Sequence, residues 1–127
     1  MTTFLAHSAG LALFLKSIPD VVDAVGSKGR IYQGFYRAEE ELPQVGIRGI
    51  SKRPLTHERA GAVEARVQVT VTAHSLAQAR EIAALVDERI ASFEHGGLIW
   101  DTVPENPRER PGEEIQQHLT DYMVIAQ

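Results

Sequence analysis

The stretch VEARVQVTVTAHSLAQAREIAALV, residues 63–86, decides how the rest of the chain is read. Val63, Ala65, Val67, Val69, Val71 and Ala73 are apolar, and Glu64, Arg66, Gln68, Thr70 and Thr72 between them are polar. A period of two is the period of a strand with one face on a core. A helix follows almost at once. Ser75 is placed to cap it, with Gln78 three residues on completing a capping box. Leu76, Ala79, Ala83, Val86, Ile90 and Phe93 then recur at three- and four-residue steps, while Arg80, Glu81, Asp87, Glu88 and Arg89 fill the outer arc. The open question is what the polar face of the strand looks at: water, a ligand, or another copy.

On the N-terminal side, Thr3 is a plausible cap for a helix over residues 4–17, which Pro19 stops. Its apolar residues, Leu13 among them, cover more than one stripe, so a second cover is expected, supplied by a neighbouring subunit in so small a domain. A helical turn, DVVDAV, ends at Gly26. GRIYQGFY (29–36) and PQVGIRGIS (43–51) read as strands, the second led by Pro43, where a strand tolerates a missing N–H. Residues 52–61 read as a charged hairpin loop. On the C-terminal side, Gly96 and Gly97 break the chain, 98–103 reads as a strand, 104–114 as a loop with three prolines, and 115–127 as a closing strand. The expected fold is one α+β domain over residues 1–127, a single mostly antiparallel sheet with two helices packed on one face.

Composition fits that picture. A chain of 127 residues with 43% hydrophobic and 24% charged residues has the make-up of one ordinary globular domain. There is no cysteine, which excludes disulfides and thiolate chemistry, and no apolar run reaches the ~18 residues a bilayer span needs. The opening segment suits a core helix better than a signal peptide, because no positive charge precedes it. A net charge of -4 argues against nucleic acid as the main partner.

Candidate chemistry is thin. The five histidines, His7, His57, His74, His95 and His118, show no metal-ligand spacing. The acidic runs at Glu39–Glu40–Glu41 and Glu113–Glu114 read as solvated loops. The serines lack a nucleophile elbow, and GSKG (26–29) lacks the strand and helix of a phosphate loop. The mixed-charge loops are better candidates for partner contacts: Arg53, His57, Glu58 and Arg59 in one, Arg108, Glu109 and Arg110 in the other.

GRIYQGFY with ELPQVGI, then EARVQVTVTAHSLAQAREIAALVDERI, then the terminal DYMVIAQ, resemble the phage tail completion or tail terminator family over about residues 5–126. One departure is Gln44 after Pro43, where the family has an aromatic or aliphatic residue. The resemblance implies a non-enzymatic virion protein, with no cofactor, that forms a ring, typically hexameric, at the head-proximal end of a tail. Such a ring stops tail-tube polymerisation and joins the head; related proteins serve gene-transfer particles and tail-like devices. The implied partners are further copies, the tail tube protein, and a head connector or neck protein, with DNA passing through the channel without specific binding and no membrane involved. The implied place is the virion, after assembly in the host cytoplasm. The polar face Glu64, Arg66, Gln68, Thr70 and Thr72 would then meet a neighbouring subunit or the channel. Two other readings stay open: an oligomeric small-molecule-binding regulatory module, and a small ferredoxin-like enzyme using His118, Asp121 or Glu64.

Overall fold

Two helices, α1 (Phe4–Lys16) and α2 (Pro19–Val25), open the chain in the computed structural model, which describes residues 4–55, 62–95, 98–110, 112 and 115–126. Side chains are described at 8–51, 65–91, 108–110, 112 and 115–124. The Thr3 cap, His57, Glu58, Arg59, Glu113 and Glu114 lie outside these residues. Pro19 begins α2, where its missing N–H costs nothing, and Gly26 ends it at φ 103, donating its N–H to the Val22 carbonyl at 2.7 Å.

After a 3-10 turn (Lys28–Arg30), β1 (Ile31–Gln33) runs parallel to β2 (Gln44–Leu55). β1 is shorter than the stretch 29–36 suggests, because Gly34, at φ 124, turns the chain away while its N–H holds the Ile47 carbonyl at 2.9 Å. The turn crosses β2 so closely that a Cβ on Gly46 would lie 2.7 Å from the Gly34 carbonyl oxygen. Gln44 explains its own oddity. Fully buried, its Oε1 accepts from the Tyr32 hydroxyl and the Arg37 N–H, and its Nε2 donates to the carbonyls of Arg37 at 2.7 Å and Glu40 at 3.2 Å. An apolar residue there would leave the 34–43 connection without those bonds.

β3 (Ala62–Ala73) pairs antiparallel with β2 on one side and β6 (Gln116–Ala126) on the other. β5 (Leu98–Arg110) pairs with β6, and β4 (Ser92–His95) with the start of β5, giving a six-stranded sheet in the order β1-β2-β3-β6-β5-β4. The β1–β2 pair is its parallel one; the other pairings are antiparallel. Helix α3 (Leu76–Ile90) starts where the capping pattern puts it, with the Ser75 hydroxyl accepting from the Gln78 N–H at 3.1 Å.

Three sequence expectations are corrected. Residues 52–61 are not all loop, since β2 continues to Leu55 and Arg53 pairs with Glu64 in the ladder. Residues 104–110 of the expected 104–114 loop are strand instead, the end of β5. β4 covers only Leu98–Asp101 of β5, so the rest of β5 is a sheet edge that tolerates proline, and residues 106 and 107 fall in the register shift between Glu105 and Arg108. Phe93 belongs to β4, not to the helix, which ends at Ile90.

Register fixes the two faces. Ala65, Val67, Val69, Val71 and Ala73 of β3 share one side with Val45 and Ile47 of β2 and Tyr122 and Val124 of β6, and all are buried. The helices cover this side with Leu11, Ala12, Leu15, Val21, Val25, Ala79, Ile82, Val86 and Ile90. Among the described side chains of α1, Leu11, Ala12 and Leu15 are buried and Phe14 is half-buried, whereas Leu13 is 58% exposed. Tyr122 reaches through the core to α3, where its hydroxyl donates to the Asp87 carboxylate at 2.8 Å.

Burial, and then the bond to Asp87, raise the Tyr122 hydroxyl well above its ordinary 10.0. The folded state therefore holds this proton more tightly than the unfolded chain. The stabilisation it supplies is full below pH 10 and falls as pH rises beyond it. Tyr122→Phe should cost about 1 kcal/mol at neutral pH and make stability less sensitive to alkali. Urea titrations from pH 7 to 11 check this; equal alkaline losses in both proteins would contradict it.

Candidate functional site

On the other side of the sheet no helix lies among the described residues, and the ladder assembles a polar surface there. Across β2, β3 and β6 it aligns Arg48, Gln68 and Asp121; one step on, Thr70 and Leu119 stand beside Arg108; then Thr72 and Gln117 beside Arg110 of β5. Asp121 is the hub. Its carboxylate accepts from Arg66 Nη1 at 3.5 Å, Gln68 Nε2 at 3.4 Å and both terminal nitrogens of Arg108 at 3.4 Å. Its side chain is only 11% exposed, against 33% for Arg66 and 36% for Arg108. A carboxylate so nearly buried needs charge and hydrogen-bond partners, and two guanidinium groups and an amide provide them across three strands. The bonds are long, so the charges matter more here than any one hydrogen bond.

The same packing buries Gln68 and Thr72, and Gln117 donates to the Thr72 hydroxyl at 3.1 Å. Gln68 and Thr72 on the polar face of β3 therefore look at their own neighbours and not at bulk water, while Arg66 stays a third exposed and Thr70 half-buried.

Above Gln68, Thr70 and Leu119, the turn at 34–36 leaves a cleft of about 260 Å³, flanked by Arg48 and Arg110. Phe35 at its lip is 72% exposed, with the Arg48 guanidinium carbon 4.1 Å from its ring centre. Aromatic and arginine side chains in this arrangement are typical of contact surfaces.

The expected site residues separate as follows. Arg66, Gln68, Thr70 and Thr72 share this face, and Arg108 and Arg110 join them from a strand instead of a loop. Glu64 lies in β3 opposite Arg53 and Ile125. Glu109 faces the opposite way, where Arg80 of α3 donates to it at 2.8 Å and holds its carboxyl below the ordinary value. His118, opposite Val71, is on the helix side while Asp121 is on the open side, so these two do not converge. His74 is exposed, and no group of three or more metal-binding side chains forms among the described residues. Arg48 and Phe35 are not among the expected site residues, and Asp121 is expected only as part of an enzyme cleft; strand order brings Arg48 and Asp121 to this face, and the turn at Gly34 brings Phe35.

No family model matches the chain, and no curated protein matches it in sequence. A match in structure is a chain of "Virion of native gene transfer agent (GTA) particle". The two share one fold. The TM-score is 0.66, covering 94% of this chain and 92% of that one, at 14% sequence identity.

Removing the hub should expose the charge balance. Asp121→Ala leaves Arg66 and Arg108 facing each other and should cost about 1–3 kcal/mol, partly recovered by added salt, which screens the repulsion. Arg108→Glu, which sets a carboxylate against Asp121, should also destabilise, whereas Arg110→Glu, on an exposed side chain, should not. Urea midpoints at low and high salt decide; an unchanged midpoint for Asp121→Ala would contradict the hub.

Proposed function

We propose that this chain is a structural virion protein that forms a ring, hexameric in its relatives by resemblance, at the head-proximal end of a tail. There it ends tail-tube polymerisation and offers a surface to the head. The observation that carries the reading is a fold shared along nearly the whole of both chains with a gene transfer agent virion chain. The resemblance of GRIYQGFY, the alternating β3 and its helix, and DYMVIAQ to tail terminators narrows it to the tail end. No residue has a catalytic role in this reading.

The structure suits such work. One side of the sheet is closed by helices and holds the fold together, which leaves the opposite side, with its arginines and Phe35, for contacts. The partners are further copies, the tail tube protein and a head connector or neck protein, within the virion. DNA passes the ring without specific binding, and the chain's net charge of -4 favours free passage over retention of phosphates.

Purified protein, alone or added to tail tubes, should give rings in negative stain and one discrete oligomer by mass photometry. Deleting its gene from the particle that encodes it should give tails of uncontrolled length that fail to join heads. Dimers only, no binding to tubes and normal tails after deletion would contradict the proposal.

A further inference from the structure

We propose that the cleft between Arg48 and Arg110 receives the acidic loop around Glu39 and Glu40 of a second copy of this chain. The cleft has two guanidinium groups and no carboxylate among its lining residues. Neither arginine forms an ion pair among the described residues, unlike Arg66 and Arg108 beside them. Phe35 and Leu119 add apolar contact, and Gln68, Thr70 and Gln117 offer hydrogen-bonding groups on the cleft wall. This is a receptor for carboxylates attached to a peptide.

The chain carries a fitting ligand. Glu39 and Glu40 are exposed and have no ion pair among the described residues, and Glu41, paired with Arg30 at 2.9 Å, is still 83% exposed. Gln44 clamps their backbone through the N–H and carbonyl of Arg37 and the carbonyl of Glu40. A loop held in place before contact loses less freedom on binding. The other acidic surface, the outer arc of α3, is less suited. There Glu81 and Glu88 are interspersed with Arg80 and Arg89, which pair with Glu109 and Asp20 and would bring like charge to the arginines of the cleft.

A cleft on one copy that takes a loop from the next is a heterologous contact, and such contacts close into rings when the rotation permits. The inference rests on the ring reading and assigns its two contact surfaces.

The test is a charge exchange. Arg48→Glu with Arg110→Glu should weaken self-association roughly tenfold or more by placing like charges together. Glu39→Arg with Glu40→Arg should do the same, and the four changes combined should restore the wild-type oligomer. Circular dichroism and melting confirm that each variant is folded. Because the chain has no cysteine, Glu40→Cys with Arg110→Cys supplies a second reading: oxidation should link copies into a ladder ending at the ring. A wild-type ring with neither rescue nor cross-linking overturns the contact and leaves the ring intact. A cleft variant with an unchanged ring but lost affinity for duplex DNA makes phosphate the anion and also overturns it. A wild-type chain that stays monomeric alone and on tail tubes removes the ring reading and the contact together.

Discussion

A strand hydrogen-bonded on both sides leaves its side chains two directions, and β3 divides them by polarity. Its apolar half meets α1 and α3 and accounts for much of the core; Val67 and Ala73 are fully buried. Slipping the register by one residue would bring Glu64, Arg66 and Gln68 under the helices, so the pairing with β2 and β6 is strongly specified. Every other element is placed relative to that division. The helices gather on one side, and β5 and β6 extend the polar surface on the other.

The polar half faces a different constraint. No helix covers it among the described residues, yet Asp121 and Gln68 are nearly buried by their neighbours, and Asp121 is satisfied within the sheet by drawing Arg66, Gln68 and Arg108 together. The result is a surface stiffened by its own charges. At its margin, Arg48, Arg110 and the exposed ring of Phe35 are less fully engaged. Stability is concentrated on one side of the sheet and capacity for contact on the other.

Much of this was legible in local sequence. The alternation of β3, the Ser75 cap of α3 and the Gly26 end of α2 each follow from chemistry within a few residues. Signals that depend on neighbours in space were not. Pro104, Pro107 and Pro111 read as a loop, yet β5 runs to Arg110, because nothing in the local sequence says that this part of β5 is an edge. Phe93 keeps the helical spacing but lies in β4, where it pairs with Trp100 of β5. Asp121 meets Arg66 from 55 residues away, and only the pairing of β3 with β6 joins them. Gln44 looked like a departure from a family pattern, and its reason lies in carbonyls that the 34–43 connection presents to it.

In the proposed assembly, copies of this chain meet through the side of the sheet that carries no helix among the described residues. Hydroxyl-radical footprinting of free subunits and assembled particles reads side chains on that surface directly. Phe35, 72% exposed in the subunit, and Met123, half-buried on the same side of β6, should lose reactivity on assembly. Unchanged oxidation of Phe35 and Met123, with protection of exposed α3 side chains instead, would contradict the claim and move the contact surface to the helices.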